Sequence, residues 1–161
     1  MKNHAEQIIM IRLATVDDLK DVCRIVVSSI EVVYPKYYPT GAVDLYLNYH
    51  NPDNIKNDIT ENKVYIICDN GLVIGTVTIS ENDISRLYVD PDYQKQGYGT
   101  LLLEFAEKTI SEKYDRAVFD CYWPAKSLYP KRGYKEINYN FIKATTVIFF
   151  VMTQWKNCCF N

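Results

Sequence analysis

The first part of the chain begins with a continuous apolar run, which is typical of a strand. Apolar residues then recur every three or four positions, which is typical of helices. The run Ile9–Leu13 predicts a first strand. Apolar residues then recur at helical spacing from Leu19 to Ile30, and Thr15 is the candidate N-cap of that helix. A second helix is expected over Ala42–Tyr49. Asn51-Pro52 then resembles an N-cap followed by proline at the first position of a further short helix.

The middle of the chain has the pattern of an antiparallel meander. Three apolar segments predict strands over Lys63–Asp69, Leu72–Ser80 and Ile84–Val89. Asp69-Asn70-Gly71 is a tight-turn signal between the first two strands. A second polar turn separates the last two, and Asp90-Pro91 ends the third strand.

The remaining third returns to alternating helices and strands. A long helix is expected over Gly97–Lys113, a strand over Ala117–Tyr122, and a short helical segment over Pro124–Arg132 that ends at Gly133. The last two strands are expected over Tyr134–Ile142 and Thr145–Thr153. The predicted order is β-α-α-βββ-α-β-α-ββ, an α/β (α+β) fold with a central mixed sheet flanked by helices. We expect one domain over residues 1–161, with a core from about residue 8 to residue 153.

Composition excludes several classes of protein. The 161 residues carry 18 Lys and Arg against 20 Asp and Glu, a net charge of −2, which disfavours bulk nucleic-acid binding. The longest apolar runs are far too short to span a membrane, so a cytoplasmic protein is the default. The 5 cysteines form no C-x-x-C pair, and His4 and His50 are too scattered for a histidine metal site. We therefore expect no metal, no nucleic acid and no membrane. The unusual feature is tyrosine, at 14 residues.

A glycine turn lies between the third meander strand and the long helix. Its sequence is Gln94-Lys95-Gln96-Gly97-Tyr98-Gly99. Glycines permit positive φ and let the backbone approach a ligand closely. The first free amides of a helix favour an anion, so the turn predicts a cradle for a phosphate or pyrophosphate. A Rossmann site would need a third glycine where Leu102 stands, and a P-loop is excluded because no Lys-Ser/Thr follows. A purely structural turn stays open.

Two motifs in this context resemble the GNAT superfamily of acyl-CoA-dependent N-acetyltransferases. The family signature Q/R-x-x-G-x-G/A follows a bulged strand that ends in a V-x-P-like turn. Here Leu87-Tyr88-Val89-Asp90-Pro91 precedes Gln94–Gly99. A second family element, a hydrophobic-Tyr, basic, Gly-aromatic pattern, matches Leu128-Tyr129-Pro130-Lys131-Arg132-Gly133-Tyr134. The opening Ile11–Thr15 also looks like a family N-terminus.

The resemblance implies acetyl-CoA as the acyl donor, with no metal. Backbone groups of Leu87 and Val89 would pair with the acyl carbonyl and the pantetheine, and the amides of residues 95–100 would hold the pyrophosphate. The full set implied for the cofactor is Leu87, Tyr88, Val89, Gln94, Lys95, Gln96, Gly97, Tyr98, Gly99 and Thr100.

The resemblance also implies two catalytic residues. Tyr129 matches the family tyrosine that faces the CoA sulfur, and Asp83 lies at the position where some members carry a carboxylate general base. Glu81 and Asp120 are alternatives for the base. Two departures stand out: Pro130 directly follows Tyr129, and Tyr122-Trp123-Pro124 stands where the family often has an asparagine.

A group of tyrosines is the candidate wall for the acceptor. Tyr34, Tyr37 and Tyr38 lie in the segment that helps to form the acceptor pocket in the resembling family. We expect a primary amine of a small molecule as acceptor and a monomer or homodimer. A protein N-terminus or lysine is the alternative acceptor. A non-catalytic acyl-CoA sensor and a nucleotide-cofactor enzyme using the glycine turn are the alternative functions.

Overall fold

The chain folds around a seven-stranded mixed sheet with helices on both faces. A computed structural model describes residues 7–121, 129–144 and 148–158. The strand order is β1-β2-β3-β4-β5-β7-β6, and every neighbouring pair is antiparallel except β4 and β5, which are parallel. The strands are β1 (Ile9–Leu13), β2 (Val64–Asp69), β3 (Leu72–Ser80), β4 (Asp83–Val89), β5 (Arg116–Cys121), β6 (Tyr134–Ala144) and β7 (Ile148–Cys158). The helices are α1 (Leu19–Val33), α2 (Thr40–Tyr49), α3 (Pro52–Thr60) and α4 (Tyr98–Ser111).

The helices begin where local capping chemistry places them. The Asn51 side chain accepts from the amide of Asn54 at 2.9 Å and Pro52 follows at the first helical position, as predicted. Thr15 precedes a 3-10 turn over Val16–Asp18 rather than α1 itself, and its amide donates to the Asp18 carboxylate at 2.8 Å. The regular helix therefore begins later than the threonine suggested.

The sheet separates two hydrophobic cores. The first joins one face of the sheet to α1, α2 and α3 and includes Ile25, Tyr46 and Ile66. The second packs α4 on the other face and includes Ile74 and Leu102. Gly75 lies at the second contact, where a Cβ would stand 2.8 Å from a side-chain carbon of Ile67 and 3.1 Å from one of Leu102. The absence of a side chain there lets α4 approach the sheet.

The predicted mixed α/β architecture is confirmed, with differences at several elements. Three α-helices lie between β1 and β2, as the three segments predicted, although the summary order β-α-α-βββ-α-β-α-ββ contains only two of them. The last strand runs to Cys158 rather than ending at Thr153, because its register with β5 continues to the Arg116↔Cys158 pair. Of the short segment predicted before Gly133, a 3-10 helix over Pro130–Arg132 is present. The rest of that prediction falls on residues 122–128, outside the described residues.

Candidate active site

The two parallel strands at the centre of the sheet stay together over only two residue pairs. Asp83 pairs with Val118 and Ile84 with Phe119. Among the described residues, the rest of β4 has no partner on β5, although both strands continue. We call the opening beside residues 85–89 the slot. It exposes one backbone edge of β4 in the middle of a sheet, where strand edges are normally paired.

A bulge in β4 accompanies this separation. Thr76 lies opposite Tyr88 and Thr78 lies opposite Ser85, so three steps along β4 match two along β3. The extra residue bends β4 away from a regular ladder. Arg86 lies within the bulge at a φ of 43°, a left-handed conformation that non-glycine residues seldom adopt. A bulged strand at this place is what the resemblance led us to expect.

The last residue of β4 directs its backbone into the slot. The Asp90 amide donates to the Ile74 carbonyl at 2.8 Å, and Val89 is the neighbouring position, opposite Gly75. In an antiparallel ladder, pairs of opposite residues that share backbone hydrogen bonds alternate with pairs that do not. Asp90 and Ile74 form a hydrogen-bonded pair, so the backbone N–H and carbonyl of Val89 point away from β3. Its carbonyl accepts from Ser29 Oγ at 3.1 Å and from Gln94 Nε2 at 3.0 Å. The Val89 N–H likewise points away from β3, toward the slot.

The glycine turn forms an open cradle at the beginning of α4. Lys95 has a φ of 61° and Gly97, the N-cap, a φ of 91°. A Cβ on Gly97 would meet nothing within 4 Å, and one on Gly99 would meet only a Val89 carbon at 3.8 Å. Gly97 also has no side chain with which to cap the first amides of the helix. An anion therefore fits this position by space, by hydrogen bonding and by the helix dipole.

Three polar side chains of this turn point away from the cradle and stabilise it. Gln94 donates to the Val89 carbonyl, and Gln96 Nε2 donates to the Asp92 carbonyl at 3.2 Å. The Tyr98 hydroxyl donates to Asp69 Oδ2 at 2.8 Å, which fastens the turn to the end of β2. That acceptor raises the pKa of Tyr98. These three residues therefore have only backbone groups available for a ligand. The Lys95 side chain, by contrast, is exposed to solvent.

Tyr129 lies in the core between the sheet and α4. It is 5% exposed, and its ring packs at 5.8 Å from that of Tyr134 in an edge-to-face arrangement. Pro130 takes the first position of the 3-10 turn, where the missing amide costs nothing, and the Arg132 amide donates to the Tyr129 carbonyl at 3.0 Å. Arg132 also binds Glu107 of α4 at 2.6 Å, so the turn that carries Tyr129 is held against that helix.

Asp83 lies on the opposite face of the sheet from Tyr129. Ile79 and Ile84 face each other in the ladder and both belong to the α4-side core. Their neighbours alternate to the other face, which places Asp83 on the side of α1, α2 and α3. It stands where β4 and β5 are still paired, at the closed end of the slot. The two predicted catalytic residues therefore lie on opposite faces of the sheet.

The predicted acceptor tyrosines divide into buried and exposed members. Tyr34 and Tyr38 are 4% and 8% exposed, whereas Tyr37 is 52% exposed. The Tyr34 and Tyr88 hydroxyls lie 2.9 Å apart, and burial raises the pKa of Tyr88 to about 12. Tyr34 and Tyr38 thus form part of the core behind β4, and Tyr37 alone of the three presents its side chain to solvent.

A polar cluster behind the bulge was missed by the sequence analysis. Arg86 forms an ion pair with Asp58 of α3, and its Nε donates to His50 Nδ1 at 3.0 Å. A guanidinium nitrogen of Arg86 also lies 3.4 Å from Thr78 Oγ1. We call His50, Asp58, Thr78 and Arg86 the bulge cluster. The one signal in the sequence is an arginine inside the strand that leads to the glycine motif.

Comparison with solved structures identifies the fold. A GCN5-related N-acetyltransferase from Rhodopseudomonas palustris superposes with a TM-score of 0.84 at 20% identity, covering 92% of this chain and 94% of that one. The PaiA N-acetyltransferase of Thermoplasma acidophilum, in complex with coenzyme A, gives 0.76 at 19% identity, covering 94% and 99%. YncA of Salmonella typhimurium, a putative acetyltransferase with acetyl-CoA, gives 0.71 at 15% identity, covering 94% of each chain. The chain has the GNAT acetyltransferase fold.

A match to a sequence-family model agrees with the fold over the middle of the chain. The family model for the acetyltransferase (GNAT) domain matches residues 60–136, the stretch that contains β2 to β4, the glycine turn, α4 and Tyr129. The resemblance to the GNAT superfamily that the two motifs indicated is confirmed over this stretch. No curated protein sequence matches it significantly.

Two further observations concern the described residues alone. None of their helices has both the length and the apolar character that crossing a membrane requires. Within the same ranges, no group of three or more His, Cys, Asp or Glu side chains is placed to ligate a metal.

Proposed function

We propose that this protein is an N-acetyltransferase that moves an acetyl group from acetyl-CoA to the primary amine of a small molecule. The observation that carries the proposal is the slot together with the beginning of α4, which has no side-chain cap: a Cβ on Gly99 in its first turn would lie 3.8 Å from a side-chain carbon of Val89 at the end of β4. A long anionic ligand could place its phosphates on the glycine turn and its acyl end against the free edge of β4. Two of the similar structures contain coenzyme A or acetyl-CoA, which supports this choice of donor.

The residues of the turn fit a pyrophosphate. The open space at Gly97 and its positive φ leave room for phosphate oxygens where any side chain would intrude. Amides of residues 95–100 would donate to the pyrophosphate, and the Val89 N–H would donate within the slot. Leu87 and Tyr88 complete the strand that lines it. Acetyl-CoA supplies an activated thioester, and the remaining chemistry belongs to the chain.

The acceptor must lose a proton before it can attack. An amine with a pKa of about 10.4 requires roughly 4.6 kcal/mol to become neutral at pH 7. Asp83 would take that proton, directly or through one water, because its partly exposed carboxylate lies on the face opposite α4. The neutral amine nitrogen then forms a bond to the acyl carbon as the carbon–sulfur bond breaks, and the proton that the nitrogen sheds on becoming an amide neutralises the departing thiolate.

Tyr129 would assist the departing sulfur. A tyrosine of pKa about 10 cannot fully protonate a thiolate of pKa about 8.5 without a cost of roughly 2 kcal/mol, so a hydrogen bond is the favoured role. Burial of the ring against Tyr134 fixes its direction, and the Arg132–Glu107 ion pair fixes the turn beneath it. Tyr37 would contribute to the acceptor wall from the exposed side.

The test is a thiol-release assay with acetyl-CoA across small amines, lysine-containing peptides and peptides with free N-termini. We expect turnover with at least one small amine. Turnover with the peptides alone would favour the protein acceptor. Binding of acetyl-CoA without any turnover would favour the sensor. Thermal stabilisation by NADH but not by CoA would favour a nucleotide-cofactor enzyme and refute the proposal.

A further inference from the structure

The bulge cluster contains a buried hydrogen-bond donor without a partner. His50 is 4% exposed, and its Nδ1 accepts from Arg86 Nε. A neutral imidazole that accepts at Nδ1 carries its proton on Nε2. That Nε2 is buried and has no hydrogen-bond partner in the described structure. Buried polar groups are nearly always paired, so an orphaned donor indicates a missing acceptor.

The charge around this donor is balanced. Burial, and secondly the Arg86 charge, lower the pKa of His50 to about 3, so the ring is neutral at neutral pH. Asp58 neutralises Arg86 through their ion pair. The guanidinium behind Nδ1 polarises the ring and strengthens the donor at Nε2. The cluster therefore offers a strong neutral N–H, which suits an oxygen lone pair and gives no advantage to an ammonium group.

The donor lies on the face of the sheet from which we expect the acceptor. Thr78 of the bulge cluster stands directly opposite Ser85, and Asp83 is two residues further along β4 on the same face. The His50 ring packs edge-to-face against Tyr88 of β4, with centroids 5.9 Å apart, and against the exposed Tyr49 at 5.0 Å. Asp83 and His50 thus flank the bulged part of the strand.

We propose that His50 Nε2–H binds a carbonyl or carboxylate oxygen of the acceptor, so that the acceptor class is an amine bearing such an oxygen near its amino group. This inference rests on the proposed acetyl transfer and names its acceptor class. Arg86 acts as a positioning residue, because its Nε–H occupies Nδ1 and so keeps the ring proton on Nε2.

The test compares matched acceptors in the thiol-release assay. The probes are L-lysine, L-lysinamide and cadaverine, and L-phenylalanine, L-phenylalaninamide and phenethylamine. We expect kcat/KM for the oxygen-bearing members to exceed that of the matched decarboxylated amine by about ten- to a hundred-fold, the usual effect of leaving a buried donor unsatisfied. Comparison of the acid with the amide distinguishes a carboxylate from a carbonyl oxygen.

Two variants of His50 separate binding from folding. His50→Gln places an amide N–H donor near the position of Nε2. His50→Asn retains an acceptor for Arg86, but its shorter side chain places no donor at the position of Nε2. We expect His50→Asn to abolish the preference by raising KM for the oxygen-bearing amines, with KM for acetyl-CoA unchanged, and His50→Gln to restore part of it. Thermal melts with acetyl-CoA verify that both variants fold.

The outcomes distinguish this inference from the proposed function. Turnover with no preference for oxygen-bearing amines, or a preference that His50→Asn retains, would overturn the inference alone. An absence of turnover with every acceptor of the wider panel would overturn both.

Discussion

Acidification should destabilise the fold through one buried histidine. In an unfolded chain the His50 imidazole has a pKa of about 6.5, and in the folded protein burial and Arg86 lower it to about 3. Between these values the unfolded chain binds one proton more than the folded one, so the free energy of unfolding falls as pH falls. The free energy of unfolding changes by up to about 1.4 kcal/mol per pH unit in this range. Integrated from pH 7 to pH 4, the His50 contribution lowers the free energy of unfolding by about 3 kcal/mol.

The assay is urea unfolding at a series of pH values from 7 to 4, for the wild type and for His50→Gln. Carboxylates also titrate near the end of this range; Asp18, for example, has a pKa held below its usual range by its hydrogen bonds with Arg12. These groups are common to both proteins and cancel in the difference. We expect the stability of the wild type relative to the variant to decline by about 3 kcal/mol. Parallel curves would show that His50 is not a buried neutral ring.

Three substitutions test other parts of the structure. Gly75→Ala should lower the free energy of unfolding in urea by about 1–3 kcal/mol, because the new Cβ would lie 2.8 Å from Ile67 Cγ2 and 3.0 Å from the Tyr88 carbonyl oxygen. Unchanged stability would contradict the close approach of α4 to the sheet. Gly97→Glu should abolish CoA binding in calorimetry, since charge and bulk enter the cradle, and intact affinity would refute the anion site. Tyr129→Phe should lower turnover by about one to three orders of magnitude with CoA affinity retained, and full turnover would remove Tyr129 from the mechanism.

Local signals in the sequence predicted the elements well. The Asn51-Pro52 pair defined the beginning of α3 because the cap and the helix are neighbours in the chain. The glycine turn was found for the same reason, since positive φ at Gly97 and the beginning of α4 are properties of a few consecutive residues. The 3-10 turn after Thr15 was missed because Asp18 binds both Thr15 and Arg12, and the pattern of apolar residues does not record that contact.

Contacts between distant residues could not be predicted in the same way. Arg86 reaches Asp58 and His50 only because the bulge turns it toward α2 and α3. The sequence places Tyr98 in the glycine turn but gives no sign that its hydroxyl donates to Asp69 at the end of β2. Tyr34 and Tyr38 were candidates for an acceptor wall, and their burial depends on how α1 and α2 pack on the sheet. Periodicity indicates which face is apolar, whereas these placements depend on tertiary packing.

The central claim is that acetyl-CoA binds with its phosphates on the glycine turn and its acyl end in the slot. Amide chemical-shift mapping during an acetyl-CoA titration tests this most directly, because the proposed ligands on the chain are backbone N–H groups. We predict that the largest shifts occur at residues 95–100 and 87–89. Saturable binding that leaves both segments unshifted, or no binding at all, would contradict the account.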